Sequence, residues 1–475
     1  MEDTICAIST PGGVGGIAVI RVSGPQAIEI TDRIWKGKPL GDSPSHKAHL
    51  GEIGDWTRNE AVDQCVATVF RAPKSFTGED TVEISVHGSR WIQREALALL
   101  LKAGCRMAEA GEFTRRAVMN GRMDLAQAEG VADVIASTSR AAHRIAMSQM
   151  KGSISRKLTE LREQLLELSV LLELELDFSE EDVEFADRSR LLATALSIKG
   201  ELQHLYGSFR KGSAIKEGIP VAIVGATNAG KSSLLNALLD YDRAIVSDIH
   251  GTTRDTIEET MEIGDYMFRF IDTAGLRDTS DPIEQIGIQR SHKAIEQARI
   301  IIALIDISSL NIEGLSAESI IASLPEEIRK ETSVESSVII AFNKCDLVDT
   351  DTMRRLESLS NQLLSHSRCI YNVLSISVEN GTGIDRIRET LTEIASENCD
   401  NAHDSIIITN LRQAEALRQS IASITPLIQG LESGLETDLV AQHLRETLSN
   451  LASITGEIPS TEVLNTIFSN FCIGK

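Results

Sequence analysis

The sequence predicts a multidomain protein that combines an N-terminal α+β domain, a central all-α helical domain and an inserted α/β domain. Its 475 residues suffice for about three domains of ordinary size. Short β-branched runs give way to long helical patterns near residue 121, and alternating strands and helices follow residue 218 before helix returns. The predicted ranges are 1–120, 121–217, 218–398 and 399–475, of which the second and fourth form one helical domain.

Residues 1–120 alternate short β-branched runs with turns, which is typical of an α+β domain. The predicted strands include Ile17–Val22, Val66–Phe70 and Val82–His87, and an apolar helical run follows at Trp91–Ala103. The segment Gly13–Ala18 fits the dinucleotide pattern G-x-G-x-x-A. Because the chain continues from it as a strand rather than a helix, we expect a glycine turn here instead of a dinucleotide site.

Apolar residues at helical spacing dominate the two ranges of the helical domain. The predicted stripes contain Leu161, Leu165, Leu168 and Leu172, then Leu191, Ala195, Ile198, Leu202 and Leu205, and finally Leu411, Ala414, Leu417, Ile421 and Ile424. Such stripes usually pack within their own fold, and a self-association surface is the alternative. The segment Gly212–Gly218 is predicted to be a short linker into the next strand.

Strand-like runs alternate with helices through residues 219–398. The runs are Ile219–Val224, Tyr266–Ile271, Ile300–Ile305, Val338–Phe342 and Tyr371–Ile376. This alternation predicts a parallel sheet with helices on both faces. Helical sequence on either side suggests that the α/β domain is an insertion, which is tolerated where the two ends of a domain lie close together.

Composition limits the classes of function. The formal net charge of −22 disfavours attraction to nucleic acid by the overall field, so an RNA contact would need a local basic patch or a more basic partner. No apolar run approaches the ~20 residues of a membrane-spanning helix, and the first residues lack the features of a signal peptide. We therefore expect a cytoplasmic protein without membrane contact. The seven cysteines are scattered, which excludes a C-x-x-C zinc or redox site.

The segment Gly225–Ser233 reads GATNAGKSS and fits the phosphate-binding pattern G-x-x-x-x-G-K-S between a strand and a helix. Its glycines let backbone N–H groups point at phosphates, Lys231 neutralises the β/γ charge, and the Ser232 hydroxyl takes a position on Mg²⁺. The predicted nucleotide contacts of this loop are Asn228, Ala229, Gly230, Lys231, Ser232 and Ser233.

Two later segments predict recognition of guanine. The first follows the strand Val338–Phe342, and its Asp346 carboxylate accepts two hydrogen bonds from the Watson–Crick edge of guanine. Adenine would leave that carboxylate unpaired, so the site selects GTP over ATP. The second segment follows the last strand, where a backbone amide meets the guanine carbonyl. The predicted base contacts are Asn343, Lys344, Asp346, Ser377, Val378 and Glu379.

Two segments between these motifs predict contacts to the γ-phosphate and Mg²⁺. Asp272–Gly275 has the D-x-x-G pattern, in which the aspartate holds Mg²⁺ through water and the glycine N–H meets the γ-phosphate. Thr253 is the predicted second protein hydroxyl on Mg²⁺, beside Ser232. The predicted contacts in the two segments are Ser247, Asp248, Ile249, His250, Gly251, Thr252, Thr253, Asp272, Thr273, Ala274 and Gly275.

Hydrolysis needs a device other than a glutamine after Gly275, because Leu276 occupies that position and cannot orient water. The amide oxygen of Asn228 suits a monovalent cation beside the phosphates, which would supply the charge of an arginine finger. The predicted oxygen shell of this cation consists of Asn228, Ser247, Ile249 and Thr252. The predicted catalytic residues are Asn228, Lys231 and Glu284, the last as the acid that positions water.

Further segments occur in the order and spacing of one protein family. They are Ile20–Gly24, Ser75–Asp80, Gly111–Ala117, Asp124–Glu129, the GTTRD and DTAGLR segments, and Phe471–Lys475. On these motifs, which cover essentially the whole chain, the sequence resembles the MnmE (TrmE) family of GTPases. This family acts in the modification of the wobble uridine of bacterial and organellar tRNA.

The resemblance implies an N-terminal domain with a folate-binding-like fold that binds formyl- or methylene-tetrahydrofolate and dimerises. It implies a homodimer whose GTP-binding domains associate in a K⁺-dependent manner to trigger hydrolysis. It also implies a heterotetramer with a partner of the MnmG (GidA) type, which carries FAD and uses NADH, and tRNA held mainly through this complex. The complex would add an aminomethyl or carboxymethylaminomethyl group to C5 of the wobble uridine.

By position, the resemblance assigns family roles to individual residues. The folate contacts are Arg21, Glu79, Arg122 and Lys475. The K⁺ shell is Asn228, Ser247, Ile249 and Thr252, the Mg²⁺ ligands are Ser232 and Thr253, and the catalytic acid is Glu284. Arg122 replaces the usual lysine, and Ser377–Glu379 departs from the usual Ser-Ala-Lys/Arg. Cys472 is either a packed residue or a reactive thiol near the folate.

Two other functions compete with this reading. A ribosome- or RNA-assembly GTPase usually carries a basic appended domain, whereas this chain attaches acidic helices. A membrane-remodelling GTPase needs a basic or hydrophobic tip that faces the membrane, and the sequence shows none. GTP-dependent tRNA modification is therefore the expected function, and RNA assembly is the alternative.

Overall fold

The computed structural model describes residues 3–177, 188–243, 259–271, 294–310, 316–325, 328, 336–366, 370–399, 406–435, 437–456, 468 and 474. The chain separates into two compact units. The first consists of Met1–Ile135, Met147–Leu202 and Glu415–Lys475, and the second of Ala136–Ala146 and Gln203–Ala414. The finer division into four ranges remains a prediction.

The N-terminal part of the first unit is built on a seven-stranded sheet. Its strands are β1 (Ile5–Ile8), β2 (Ile17–Ser23), β3 (Trp35–Gly37), β4 (Lys47–Asp55), β5 (Glu60–Phe70), β6 (Thr81–His87) and β7 (Arg106–Met107). They lie in the order β3-β4-β5-β6-β2-β1-β7, and β1 pairs with β7 in parallel while the other neighbours are antiparallel. Helices α1 (Ala27–Ile34) and α2 (Arg90–Ala103) share its apolar core. The strands and helix predicted here are confirmed, and Ile17 begins a strand as expected.

Long helices follow this sheet and return near the C-terminus. They are α3 (Glu112–Met119), α4 (Leu125–Ala136), α5 (Arg140–Met150), α6 (Ser153–Asp177), α7 (Arg188–Glu217), α12 (Leu411–Ser433) and α13 (Thr437–Thr455). The first two predicted stripes are buried within this single chain, with Leu165 and Leu202 at 0% exposure. In the third, Ala414, Leu417 and Ile424 are buried, Ile421 is half-buried and Leu411 is 72% exposed. Among the helices described, none has both the length and the apolar character needed to cross a membrane.

The linker predicted at Gly212–Gly218 is wrong. Helix α7 continues to Glu217, so Gly218 alone separates it from the next strand. The physical reason lies at Gly212, where a Cβ would collide with the carbonyl oxygen of Ile408. Glycine is needed there for close packing rather than to break the helix.

The second unit contains a six-stranded sheet in the order β13-β12-β11-β8-β10-β9. Its elements are β8 (Ile219–Gly225), α8 (Lys231–Arg243), β9 (Glu259–Ile263), β10 (Tyr266–Phe270), β11 (Ile300–Asp306), α9 (Ala317–Ser323), β12 (Ser337–Asn343), α10 (Thr350–His366), β13 (Ile370–Ser375) and α11 (Ile384–Cys399). Helices α8 and α11 share one apolar core with the sheet, and α9 and α10 share a second core with its other face. The five predicted strands and the helices on both faces are confirmed.

Strand β9 has no counterpart among the predicted strands. It pairs antiparallel with β10 at the edge of the sheet, and only its alternate residues Met261 and Ile263 are buried. A half-buried edge strand needs few apolar residues, so the segment does not stand out in the sequence. The other neighbours are parallel, and β8 lies between β10 and β11, where the strand order changes direction. Open α/β sheets bind ligands outside the carboxyl ends of the strands at such a point.

Candidate functional site

Strand β8 is buried along nearly its whole length and leads directly into the predicted phosphate-binding loop. A Cβ at Gly225 would collide with the carbonyl oxygen of Leu304 on β11. Gly230 has a φ of +98°, and a Cβ there would collide with the side-chain amide of Asn343. Both glycines of the motif are therefore required by the close approach of a neighbouring strand.

Asn228 lies on the exposed side of this loop. Its φ is +65°, in the left-handed region that asparagine enters more readily than most residues. The next residue, Ala229, is 1% exposed and anchors the loop to the sheet. An exposed amide held on a fixed turn fits the predicted part of Asn228 in holding a monovalent cation.

Helix α8 begins at Lys231, directly after the second glycine. The Lys231 Nζ donates to the carbonyl oxygens of Gly225 and Ala226 at 2.9 and 2.8 Å, so the ammonium lies across the loop. Burial lowers the pKa of Lys231, and a phosphate group would favour its charged form. Ser232 is half-buried and Ser233 is exposed in the first helical turn, where backbone N–H groups lack helical acceptors. The Ser232 hydroxyl fits the predicted Mg²⁺ position.

Asn343 connects three motifs that are far apart in the sequence. It ends β12, is 3% exposed, and donates from Nδ2 to the Ala229 carbonyl oxygen at 2.8 Å. Its Oδ1 accepts a hydrogen bond from the backbone N–H of Val378 at 3.2 Å. One buried amide thus ties the phosphate-binding loop to the segments that follow β12 and β13.

The residues after Asn343 form a tight turn that presents Asp346. Lys344 has a φ of +66°, and a 3₁₀ turn follows at Cys345–Leu347. The Lys344 Nζ lies 2.6 Å from Oδ2 of Asp306, the last residue of β11. Asp346 is exposed at the carboxyl edge of the sheet, which fits its predicted role as the acceptor for the base.

The segment after β13 is closed by its own hydrogen bonds. The Ser377 N–H donates to the Thr382 carbonyl oxygen at 2.9 Å, and Ser377 is fully buried. The Val378 N–H is held by Asn343, and Glu379 is exposed. The structure therefore brings the predicted base segments together at one edge, beside the phosphate-binding loop.

The remaining predicted nucleotide, metal and tail residues lie outside the described part of the chain. They are Ser247, Asp248, Ile249, His250, Gly251, Thr252, Thr253, Asp272, Thr273, Ala274, Gly275, Glu284, Cys472 and Lys475. Ser232 for Mg²⁺ and Asn228 for K⁺ are the predicted metal ligands that the structure places.

Arg21 of the predicted folate site is held between aromatic rings. Its guanidinium carbon lies 5.0 Å from the ring centroid of Phe76 and 5.5 Å from that of Phe113. Its Nη2 lies 2.7 Å from Glu83 Oε1 on the neighbouring strand. The arginine is thus fixed by stacking and by an ion pair.

Glu79 and Arg122 converge on the same loop, Ser75–Asp80. Glu79 accepts a hydrogen bond from the Ser23 hydroxyl at 2.9 Å, and Ser23 lies on the same face of β2 as Arg21. Arg122 donates from Nε to the backbone carbonyl of Ser75 at 3.2 Å. The three described folate candidates are therefore neighbours around one loop.

Glu79 also belongs to an ion cluster centred on Arg116, which is 1% exposed. Arg116 Nη1 donates to both carboxylate oxygens of Glu79 at 3.2 Å, and its Nη2 donates to Asp3 at 2.8 Å and Glu112 at 3.0 Å. Glu112 is fully buried and also accepts from Arg106 at 2.7 Å. Burial alone would raise the pKa of Glu112, but hydrogen bonds from these arginines and a backbone N–H hold it below its ordinary value.

Gly474, the neighbour of Lys475, docks on the N-terminal sheet. Its carbonyl oxygen accepts a hydrogen bond from the Ser9 hydroxyl at 3.0 Å. Its φ is +100°, and a Cβ there would collide with the carbonyl oxygen of Ile8. Ile8 ends β1, which pairs with the strand that carries Arg21, so Gly474 lies one strand away from that residue of the predicted folate site.

Comparison with known proteins identifies the family. Residues 4–122 match a family model described as GTP-binding protein TrmE N-terminus, and residues 125–472 match one described as MnmE helical domain. Proteins named tRNA modification GTPase MnmE are 50% identical in Parabacteroides distasonis, over 99% of this chain and all of that protein, and 47% identical in Porphyromonas gingivalis, over 100% and 98%.

The chain belongs to the MnmE (TrmE) family.

Two solved structures of GTP-binding proteins are also similar to this MnmE-family chain, at lower identity. A GTP-binding protein from Sulfolobus solfataricus, solved in complex with GDP, is 22% identical with a TM-score of 0.27, over 50% of this chain and 67% of that chain. Translation elongation factor SelB from Methanococcus maripaludis, solved with a GTP analogue, is 17% identical with a TM-score of 0.27, over 41% and 35%. The family assignment does not depend on either likeness.

The buried ion cluster and Asp306 were not predicted from the sequence. Glu112 and Arg116 stand four residues apart in helix α3, a spacing that places them on one face and could have signalled an ion pair. Asp306 is the first polar residue after an apolar run beside the nucleotide strand. Ligand sites of open α/β sheets lie at the carboxyl edge, so the position of Asp306 could have marked it as a candidate site residue.

Proposed function

We propose that this MnmE-family chain is a GTP-hydrolysing enzyme that acts in tRNA modification. The single observation that carries the proposal is Asn343, whose buried amide joins the phosphate-binding loop to the guanine segments. This connection sets Lys231 for the phosphates and Asp346 for the base within one site. The relatives named tRNA modification GTPase MnmE, up to 50% identical over the whole chain, support the assignment to tRNA.

In the proposed reaction, water attacks the γ-phosphorus of GTP, the bond to the β–γ bridging oxygen breaks, and GDP and phosphate leave. Lys231 neutralises the phosphate oxygens, while Glu284 positions the water. Ser232 and Thr253 would hold Mg²⁺, and Asn228, Ser247, Ile249 and Thr252 would hold K⁺. When bound, these ions supply positive charge to the transition state.

The proposed modification adds an aminomethyl or carboxymethylaminomethyl group to C5 of the wobble uridine, with a folate as the one-carbon donor. The carboxylates of a folate match a loop that has the guanidinium groups of Arg21 and Arg122 beside it, and the half-buried Phe76 of this loop is an aromatic residue near a conjugated ring system. Arg21 and Glu79 already have protein partners, Glu83 and Arg116, so a folate would share or exchange these contacts. Arg122 and Lys475 would complete the site.

The proposed partners follow from charge and from the family. A chain with a net charge of −22 would gain affinity for RNA through a more basic partner protein. A flavoprotein of the MnmG (GidA) type, with FAD and NADH, would therefore hold most of the tRNA. A homodimer in the cytoplasm would bring two GTP sites together. Cys472 is proposed as a thiol near the folate.

The cation proposal is tested by the rate of GTP hydrolysis in KCl and in NaCl at equal ionic strength. We expect faster turnover in K⁺, and Asn228→Ala should remove the difference. Asn59→Ala is the matched control, because Asn59 is an exposed asparagine with a φ of +53° that lies outside the nucleotide site. Equal wild-type rates in the two salts would contradict the K⁺ assignment.

The tRNA proposal is tested by mass spectrometry of tRNA from cells that lack the protein. We expect wobble uridines without the C5 substituent, restored by the wild-type gene and not by a Lys231→Ala gene. Intact wobble uridines together with immature ribosomal subunits would overturn the proposal in favour of a ribosome-assembly GTPase.

A further inference from the structure

Asp306 ends β11 beside the guanine-recognition turn and is held by fixed donors. Its Oδ1 accepts hydrogen bonds from the Ser308 backbone N–H at 3.0 Å and the Ser308 hydroxyl at 2.6 Å. Its other oxygen, Oδ2, lies 2.6 Å from Lys344 Nζ. Asp306 pairs in register with Asn343 on β12, so the carboxylate stands next to the residue that precedes Lys344.

Lys344 adopts a backbone conformation that lysine rarely takes. Its φ of +66° lies in the left-handed region, which costs a residue with a Cβ about 1–2 kcal/mol. The 3₁₀ turn Cys345–Leu347 begins immediately after it and carries Asp346. Whatever fixes Lys344 in this conformation therefore also fixes the direction in which the Asp346 carboxylate leaves the sheet.

The ion pair differs from an ordinary surface pair. The side chains of Asp306 and Lys344 are 17% and 34% exposed, whereas the Asp351–Arg354 pair on α10 is 84% and 74% exposed. Fully exposed pairs contribute roughly 0–1 kcal/mol because water and side-chain entropy offset their attraction. In the Asp306 pair, two donors from Ser308 have already ordered the carboxylate. Burial opposes ionisation of Asp306, but the Lys344 and Ser308 hydrogen bonds keep its pKa below the ordinary value.

We propose that Asp306 is a positioning residue for guanine recognition, which holds Lys344 in its left-handed conformation so that Asp346 is ready for the base. A turn that is ordered before the nucleotide arrives loses less conformational entropy on binding. The inference rests on the proposed function, because it names a further determinant of the same GTP site.

The test measures GDP affinity and GTP turnover for Asp306→Asn, which retains the shape of the side chain and removes its charge. We expect the Kd for GDP and the KM for GTP to rise about tenfold, and kcat at saturating GTP to stay within about twofold. Ser308→Ala, which removes one donor to the carboxylate, should weaken GDP binding in the same direction by a smaller factor. Asp351→Asn is the matched control and should leave all three quantities unchanged.

A double-mutant cycle with Lys344→Met tests whether Asp306 acts through Lys344. In the Lys344→Met background, Asp306→Asn should have little further effect on GDP affinity. Additive effects of the two substitutions would overturn the inference, and so would wild-type GDP affinity in Asp306→Asn. A fall in kcat as large as the rise in KM would also overturn it, since it would indicate general damage to the domain.

These outcomes are distinct from a failure of the proposed function. If the wild-type protein binds no guanine nucleotide, the GTPase assignment itself fails. If the wild-type protein binds GDP and Asp306→Asn binds it equally well, only the role of Asp306 fails. Should Asp306→Asn not fold, Ser308→Ala and its cycle with Lys344→Met supply the same comparison.

Discussion

Gly230 has two separate reasons to be glycine. Its φ of +98° disfavours a side chain, and a Cβ would collide with the amide of Asn343. We predict that Gly230→Ala displaces this amide, breaks its hydrogen bond to the Ala229 carbonyl and weakens GDP binding about tenfold, about 1.4 kcal/mol, the scale of one lost hydrogen bond. Isothermal titration with GDP measures the change.

Gly121→Ala separates these two reasons. Gly121 has a φ of +66° with no neighbour near its would-be Cβ, and it lies in the first unit. It should lower stability by about 1–2 kcal/mol through backbone strain alone and leave GDP affinity unchanged. If Gly230→Ala binds GDP like the wild type, the Asn343 connection does not control the phosphate-binding loop.

At the residue scale, residues whose roles are set by a local motif were predicted from the sequence, whereas residues whose roles depend on long-range contacts were not. Lys231 and Ser232 were found from the sequence because their places are set by a motif of nine residues. The hydrogen bond from Asn343 to Ala229 joins residues 114 positions apart, and nothing in either segment specifies it. The charged contacts of Arg116 were hidden for the same reason, since Asp3 and Glu79 come from distant segments.

At the scale of an element, helix α7 allows the effect of packing to be tested, because two of its glycines have different surroundings. A Cβ at Gly212 would collide with the backbone of Ile408, whereas Gly207 is exposed with no neighbour near a would-be Cβ. We predict that Gly207→Ala stabilises the protein by about 0.5–1 kcal/mol through helix propensity. Gly212→Ala should instead destabilise it by about 1–3 kcal/mol through overpacking. Relative to the wild type, the urea unfolding midpoint should rise for Gly207→Ala and fall for Gly212→Ala. A rise for both variants would contradict the close packing of Gly212 against Ile408.

The cluster around Arg116 joins α3 to the start of β1 and to the loop that follows β5. We predict that Arg116→Met costs about 3–5 kcal/mol, because it leaves the fully buried Glu112 without a main partner. Arg33→Met is the control: the Arg33–Glu29 pair is 51% and 63% exposed and should cost less than about 1 kcal/mol. Urea unfolding at neutral pH compares them, and equal losses would mean that the cluster is no stronger than a surface pair.

Glu112 makes this cluster sensitive to acid. Its pKa in the folded protein lies below the ordinary 4.5, so its ionised form contributes stability above pH 4.5. That contribution is lost as the pH falls through the lowered pKa. We predict that the urea midpoint of the wild type declines below pH 4.5 more steeply than that of Glu112→Gln. Parallel pH profiles for the two proteins would contradict this.

Predictions of elements succeeded where the apolar pattern was strong. The five strands of the nucleotide-binding sheet are nearly continuous apolar runs, and the leucine stripes of α6 and α7 have clear helical spacing. Edge strand β9 was not predicted because half of its residues face solvent. The linker at Gly212 was predicted wrongly because a helix can use glycine for close packing. In both cases the deciding information was the neighbouring element.

At the scale of the whole molecule, Gly474 near the C-terminus contacts the end of the first strand. The contact between Ser9 and Gly474 spans 465 residues of sequence. We predict that Gly474→Ala, which cannot keep this contact, raises the rate at which carboxypeptidase B removes Lys475 about tenfold, because the docked state is less populated. Ser9→Ala should raise the rate less, since it removes the hydrogen bond and leaves the close approach to Ile8.

Gly381→Ala is the control for this measurement. Gly381 has a φ of +79° with no neighbour near a would-be Cβ, and it lies in the second unit. It should not change the release of Lys475. Unchanged release from Gly474→Ala would mean that the docking does not restrain the tail.

The overall charge was accessible from composition, and the change from strands to long helices was accessible from periodicity, because both are sums over many residues. The resemblance assigned Lys475 and Arg21 to one folate site, but nothing in the sequence predicted the contact between Gly474 and Ser9. A single hydroxyl and a single glycine create that contact, and so small a feature has no periodic signature.

Gly218 sets the direction of helix α7 relative to strand β8. With a φ of +95°, it is the single residue between Glu217 and β8, so its torsions set the direction in which the helix joins the strand that carries the phosphate-binding loop. The fifteen residues Gln203–Glu217 extend for about 22 Å at 1.5 Å per residue. A turn of about 10° at this joint would sweep Gln203 through about 4 Å. A small change in the torsions of this one glycine would in this way become a displacement as large as a side chain at the far end of the segment.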